Sequence, residues 1–314
     1  MIISASRRTD IPAYYSKWFF ERMKKGCVLV RNPFNARQIS RISLLPEDVD
    51  GIVFWTKDPS PMTARLDELN DRVFYFQFTL NAYGKDAEPG VPSKKDVVIP
   101  AFRKLSDKIG SRRVIWRYDP VFFTEKYTME YHLEHFGRLA GSLAGYTEKC
   151  VISFLDLYRK TRRNTGPFDI IMPSPDRKKE LACRLSGIAA EAGIKLETCA
   201  EETDLSDHGI EHSCCIDKRL LEQLADCRLD VRKDRNQRPA CGCAQSIDIG
   251  AYDTCGGGCR YCYASRDPET AAGNISWHDP SSPVLSGSLQ ADDEIKERLV
   301  KSFRDPQMGI SDIL

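Results

Sequence analysis

The chain has 314 residues, 41% of them apolar and 29% charged, with a formal net charge of +1. That length suits one large domain or two ordinary ones and buries a core without covalent staples. Near-zero charge gives no argument for nucleic acid or a membrane as partner, although it does not exclude nucleic acid. Nothing resembles a transmembrane span, which needs roughly 20 apolar residues. The apolar start is too short for a signal peptide, and its charges, Arg7 and Arg8, follow rather than precede it. The expected compartment is the cytoplasm. Twelve cysteines are many for a reducing compartment, where clustered thiols bind metal or act in catalysis rather than pair.

Short apolar runs alternate with helical patterns along the first two thirds of the chain. Strands are expected at Ile2–Ala5, Gly51–Trp55, Val73–Leu80, Arg113–Tyr118, Cys150–Leu155 and Lys195–Cys199, rich in the β-branched and aromatic residues that strands favour. Helices are expected near Tyr14–Lys25, Met62–Asn70, Val97–Ile109, Met129–Gly141, Arg177–Ala192 and Lys218–Ala225. Gly26, Gly110 and Gly193 stand where left-handed helix ends are wanted. Val28–Arg31 and Gln38–Leu44 read as an inserted hairpin, and Asp292–Arg304 as a late helix.

Regular β-α alternation implies a parallel sheet with helices outside it. The expected fold is α/β: a TIM-like or partial (β/α)6 barrel over residues 1–240. A cysteine-rich loop over 241–264 would close its mouth, and a polar tail over 265–314 would pack on it. The barrel is favoured over an open doubly wound sheet because polar groups gather at the strand ends, where barrels carry their sites. Arg7, Arg8, Lys57, Arg117 and Glu201 are the candidate ligand-binding residues there. Asp58, before Pro59, is as readily a helix cap as a site residue.

Cys255, Cys259 and Cys262 stand at Cys-x3-Cys-x2-Cys spacing. Thiolates at such spacing suit tetrahedral zinc as well as iron–sulfur clusters. A closed zinc site wants four ligands, whereas three thiolates on a four-iron cluster leave one iron open. Gly256, Gly257 and Gly258 allow turns through which a short loop can wrap such a group.

The string Tyr252-x2-Cys255-x3-Cys259-x-Tyr261-Cys262-Tyr263-Ala264 resembles the cluster motif of radical S-adenosylmethionine (SAM) enzymes, in the version of the spore photoproduct lyase-like branch. The resemblance implies a 4Fe-4S cluster whose open iron chelates SAM. Electron transfer would then cleave SAM to a 5′-deoxyadenosyl radical, in a partial (β/α)6 barrel, with ferredoxin or flavodoxin as the one-electron donor. Two departures stand out: the loop comes last in the chain instead of after the first strand, and Gly257 stands where related loops often have His. The segments Ile3 to Pro12, Val30 to Asn35, Ile52 to Lys57, Val114 to Pro120 and Thr198 to Glu201 also resemble an uncharacterised bacterial family of unknown function, which brings no substrate.

Cys241 and Cys243, with Cys199 and Cys215, are candidates for a second metal site holding zinc or an auxiliary iron–sulfur cluster. His208 and His212 are substitutes for one of those thiols. His132 and His135 share a helix face and read as a satisfied pair. The basic run Arg159 to Arg163 reads as a solvated loop that could grip phosphate. No nucleotide phosphate loop and no Gly-x-Ser-x-Gly elbow occurs, which lowers the case for a nucleoside triphosphatase or serine hydrolase. The leading expectation is a radical SAM-type enzyme acting on an unknown substrate. The alternative is a metal-stapled barrel that binds nucleic acid or protein without SAM chemistry.

Overall fold

A computed structural model describes residues 1–69 and 72–305. The first strand, β1 (Ile2–Ala5), leads through the short helix α1 (Ile11–Tyr14) into α2 (Ser16–Lys25). The side chain of Asp10 caps α1 by accepting from the Ala13 amide at 3.0 Å. Helix α2 stops at Gly26, whose φ of 68° is the left-handed end that glycine adopts without strain. The hairpin follows as β2 (Cys27–Asn32) and β3 (Asn35–Ser43), paired antiparallel.

Next come β4 (Gly51–Thr56), a short α3 (Ser60–Thr63) and a 3-10 turn at Leu66–Leu69. The helix expected over Met62–Asn70 is thus broken into two short pieces, and its last residue lies outside the described residues. Then follow β5 (Phe74–Thr79), α4 (Ile99–Ile109), β6 (Val114–Val121), α5 (Met129–Leu143), β7 (Lys149–Phe154), α6 (Arg159–Asn164), α7 (Pro175–Glu191) and β8 (Lys195–Cys199). Past β8 lie β9 (Glu211–Ser213), α8 (Lys218–Ala225), β10 (Ile247–Asp248), α9 (Pro268–Ser276) and β11 (Glu294–Glu297).

Eight strands form one sheet in the order β10-β1-β4-β5-β6-β7-β8-β9, every neighbouring pair parallel. The six expected strands are its centre. Alternate residues face opposite sides of a strand, and here both sides are buried. Ile3, Ile52, Phe54, Phe76 and Trp116 pack among the helices. Ile2, Val53, Tyr75, Ile115 and Val151 pack against Ile216, Leu220, Leu221 and Leu229. Burial on both faces is why these runs read as nearly continuous apolar stretches.

The sheet does not close into a ring among the described residues. Its edges are β9, with three residues, and β10, with two, and they pair only inward. The expected α/β class with one large parallel sheet is therefore present, without closure into a ring among the described residues. The tail is corrected. Glu294–Glu297 is a strand beside β3, not part of a helix. Hydrogen bonding to the free edge of β3, with ion pairs Arg31–Asp293 and Arg41–Glu297, overrides the local helical pattern. Trp18 Nε1 donates to the Ser282 carbonyl at 2.9 Å and the Phe303 amide to Asp50 at 2.8 Å, so the tail is tied to α2 and to the entry of β4.

Candidate metal and ligand site

The carboxyl ends of the strands open into a cavity of about 480 Å³. Ser6 and Arg7 reach it from β1, Thr56 and Lys57 from β4, Thr79 from β5, Arg117 and Asp119 from β6, Ser153 from β7 and Cys199 from β8. Seven of the twelve cysteines line it: Cys199, Cys215, Cys241, Cys243, Cys255, Cys259 and Cys262.

The three-cysteine loop arrives by way of β10. That two-residue strand docks on β1, where Asp248 accepts from Ser4 Oγ at 2.7 Å, Ser6 Oγ at 2.6 Å and the Arg7 amide at 2.8 Å. The loop is then held at several points. Tyr15 donates its hydroxyl to the Thr254 carbonyl at 2.5 Å, and the Arg260 amide bonds the Ala87 carbonyl at 2.9 Å. Asn164 Nδ2 donates to the carbonyls of Cys262 and Ser265.

The glycines have a specific task. A Cβ at Gly90 would stand 2.5 Å from the Gly256 carbonyl oxygen, so only backbone passes there. A Cβ at Gly257 would lie 3.6 Å from the sulfurs of both Cys255 and Cys259, so the two thiols flank bare backbone. The Ala264 amide donates to Cys262 Sγ at 3.3 Å. Burial pushes the thiols of Cys255 and Cys259 up to about 12 and that of Cys262 up to about 11. As bare thiols they hold their protons, and a half-buried set of three thiolates there would call for a cationic partner.

A carboxylate–lysine network supports this wall. Glu88 is buried and pairs with Lys57 Nζ at 2.8 Å and Lys94 Nζ at 2.7 Å, and it accepts the Tyr261 hydroxyl. Burial pushes the Glu88 carboxyl up, but the two ammonium groups outweigh it and hold the group below its ordinary value. Lys57 is held above the ordinary lysine value, because Glu88 and Cys259 outweigh the burial that opposes its charge. Asp10, which the cavity also exposes, is raised by burial to about 7 against the amides of Lys57 and Ala13.

The other four thiols form a second group in the cavity lining. Cys199 Sγ lies 3.1 Å from Cys215 Sγ, and Arg117 Nη1 donates to Cys215 Sγ at 2.9 Å. Cys243 is in thiol contact with both Cys215 and Cys241, and its sulfur accepts from the Ile216 amide at 3.4 Å. Contact with Cys215 and burial keep the Cys199 thiol protonated. Contact with Cys243 pulls Cys241 below its ordinary value. Arg117 is buried and also pairs with Asp119 at 2.7 Å.

Each sequence-predicted residue can now be placed. Arg7, Arg8, Lys57 and Arg117 all line the cavity. Lys57 and Arg117 already hold carboxylates, and Arg8 lies 3.9 Å from Asp248 and over the Tyr252 ring. Arg7 Nη2 is buried without a hydrogen-bond partner among the described residues, as is Thr9 Oγ1. Glu201 does not line the cavity. Its carboxylate accepts the Phe154 amide at 2.7 Å and pairs with Lys178, so it fixes the end of β7. His208 and His212 lie outside the lining, and His132 is a buried, satisfied side chain between Tyr118 and the Phe122 carbonyl. Arg159 to Arg163 form α6 rather than a loop. Glu88 and Lys94 escaped the sequence reading, since an isolated Glu-Pro-Gly in a connection carries no signal of burial.

Among the described residues, no three His, Cys, Asp or Glu side chains already enclose a point where a metal ion would sit. By donor chemistry the three loop thiols are of the type that would hold an iron–sulfur group, whose cysteines bind separate irons and need not converge on one point. Among the described residues, no helix is long and apolar enough to cross a membrane. No curated protein matches the chain. Residues 2–264 match the family described as a domain of unknown function, DUF1848. With nearly the whole strand framework and the complete cysteine loop inside that match, the chain belongs to the DUF1848 family.

Proposed function

We propose that this protein is a radical SAM-type iron–sulfur enzyme, with the cluster held by Cys255, Cys259 and Cys262. The observation that carries the reading is that these three cysteines face the same cavity as the carboxyl ends of six sheet strands, three of which bring the charged side chains Arg7, Lys57, Arg117 and Asp119. On this reading the open sheet serves as a partial barrel. When bound, a four-iron cluster with one open iron supplies the electron that cleaves SAM reductively.

The chain's own residues have separable tasks. Arg7, with its spare Nη2, binds an anionic carboxylate of SAM or substrate. Lys57 holds positive charge beside Cys259, fixed there by Glu88. Trp55 lies under the Arg7 guanidinium at 5.2 Å and keeps it aimed along the cavity wall. Tyr261 and Tyr263 line the cavity beside the thiols and limit water around them. The electron donor is a small redox protein such as ferredoxin or flavodoxin, and the substrate is unidentified.

The test is anaerobic purification, cluster reconstitution, and incubation with SAM and dithionite. Iron and sulfide near four of each per chain, with 5′-deoxyadenosine formed, are expected. The triple Cys255/Cys259/Cys262→Ala protein should give neither. A well-reconstituted cluster that yields no 5′-deoxyadenosine would leave a metal-stapled binding module and remove the enzymatic reading.

A further inference from the structure

The four thiols of the second group have no task in the chemistry proposed above. They come from three separate segments: the end of β8, the stretch after β9, and the connector that precedes β10. They sit at the end of an apolar cluster that includes Ile216, Leu229 and Val231. Four buried sulfurs gathered from so far apart is more than a hydrophobic core requires, since small apolar side chains would fill the same space.

Spacing distinguishes this group from the loop. In a tetrahedral zinc site with bonds of about 2.3 Å, neighbouring sulfurs are about 3.8 Å apart. Here Cys199 and Cys215 are 3.1 Å apart, and Cys243 touches both Cys215 and Cys241. The sulfurs stand in a row of contacts with Cys199 and Cys241 at its ends. The row is open, in keeping with the lack of a preformed ion cage among the described residues. Charge is matched as well. Four thiolates on one zinc ion carry a net charge of −2. Arg117 already donates to Cys215 at 2.9 Å, and Arg7 lines the same cavity.

We propose that Cys199, Cys215, Cys241 and Cys243 form a second, closed site for one zinc ion, which staples the connector of the cysteine loop to the end of β8. Binding one Zn²⁺ forms four Zn–S bonds and releases the four thiol protons to solvent, with no change of oxidation state. The connector is positioned for this: the Ala244 amide bonds the Ile216 carbonyl at 3.0 Å, and the Asp234 amide bonds the Cys243 carbonyl at 2.9 Å. The site is closed, with no position left for substrate. It does not depend on the radical SAM reading.

The experiment uses the Cys255/Cys259/Cys262→Ala chain, in which only this group remains. Titration with Co²⁺ should give about one equivalent bound, with a sulfur-to-cobalt charge-transfer band and the intense visible bands of tetrahedral cobalt, all displaced by Zn²⁺. Adding Cys241→Ser and Cys243→Ser should abolish those bands. To separate loss of the site from loss of folding, thiol alkylation of the otherwise unaltered chain with and without Zn²⁺ should show Cys199, Cys215, Cys241 and Cys243 protected together. Sub-stoichiometric cobalt, bands that survive the double substitution, or iron in place of zinc in protein purified without metal supplements would each overturn the proposal.

Discussion

Cys255, Cys259 and Cys262 are neighbours in sequence and reach the cavity together on a glycine-rich turn. Cys199, Cys215, Cys241 and Cys243 reach it from three segments that meet only because the sheet folds. In the first group the sulfurs are separated by backbone, and the Ala264 amide and the neighbouring glycine turn shape the nest. In the second the sulfurs touch each other and an arginine, and side chains do the work. One wall is an assembly of local geometry, the other of tertiary contact. Substitutions in the second should therefore cost more fold stability, and those in the first more metal.

The largest expected effect is on the tertiary wall. Arg117→Met leaves Asp119 and Cys215 without their buried cation and should destabilise the fold by about 3–5 kcal/mol. Urea unfolding measures it, and a loss below about 1 kcal/mol would mean that the guanidinium is a spare ligand group instead of a strut. On the loop wall, Glu88→Gln leaves Lys57 and Lys94 facing each other and should cost about 2–3 kcal/mol. It also carries a pH signature. A carboxylate held below its ordinary value stabilises fully above that value and loses the contribution as pH falls through its folded pKa. That acid-side component should vanish in the Gln variant, while cobalt binding by the four-thiol group should persist.

His132 belongs to neither wall and calibrates both. Burial lowers it from 6.5 to about 4, so the fold holds it neutral. Its stabilisation is complete above about pH 6.5 and is lost as pH falls towards 4, the loss reaching about 2 kcal/mol at pH 5. Urea midpoints at pH 7 and pH 5 should converge in His132→Gln relative to the parent protein. The smallest effect is Tyr15→Phe, which removes the hydroxyl at the Thr254 carbonyl and should cost about 1 kcal/mol. If the loop depends on local geometry as argued, its iron content should stay within twofold of the parent.

Legibility followed the same division. The six central strands could be read because each buries both faces, which writes an uninterrupted apolar run into the chain. The end of α2 could be read because caps are local: Gly26 adopts its left-handed φ. The tail failed because Glu294–Glu297 has a helical pattern but a strand partner, and β3 supplied the hydrogen bonds that decided it. The strand-end charges were legible as a set. Their individual states were not, since nothing near Lys57 in the chain announces Glu88.

The sequence by itself determined the α/β alternation, the position of the cysteine loop and the residue types at the strand ends. Each depends on spacing within a few residues, where backbone geometry alone sets what can share a face. Only the tertiary structure decided that the sheet stays open, that Glu201 serves β7 instead of the cavity, that Arg7 keeps a spare donor, and that four distant thiols touch. Those outcomes depend on which buried polar groups find partners across the fold, and that competition is settled only when the segments meet.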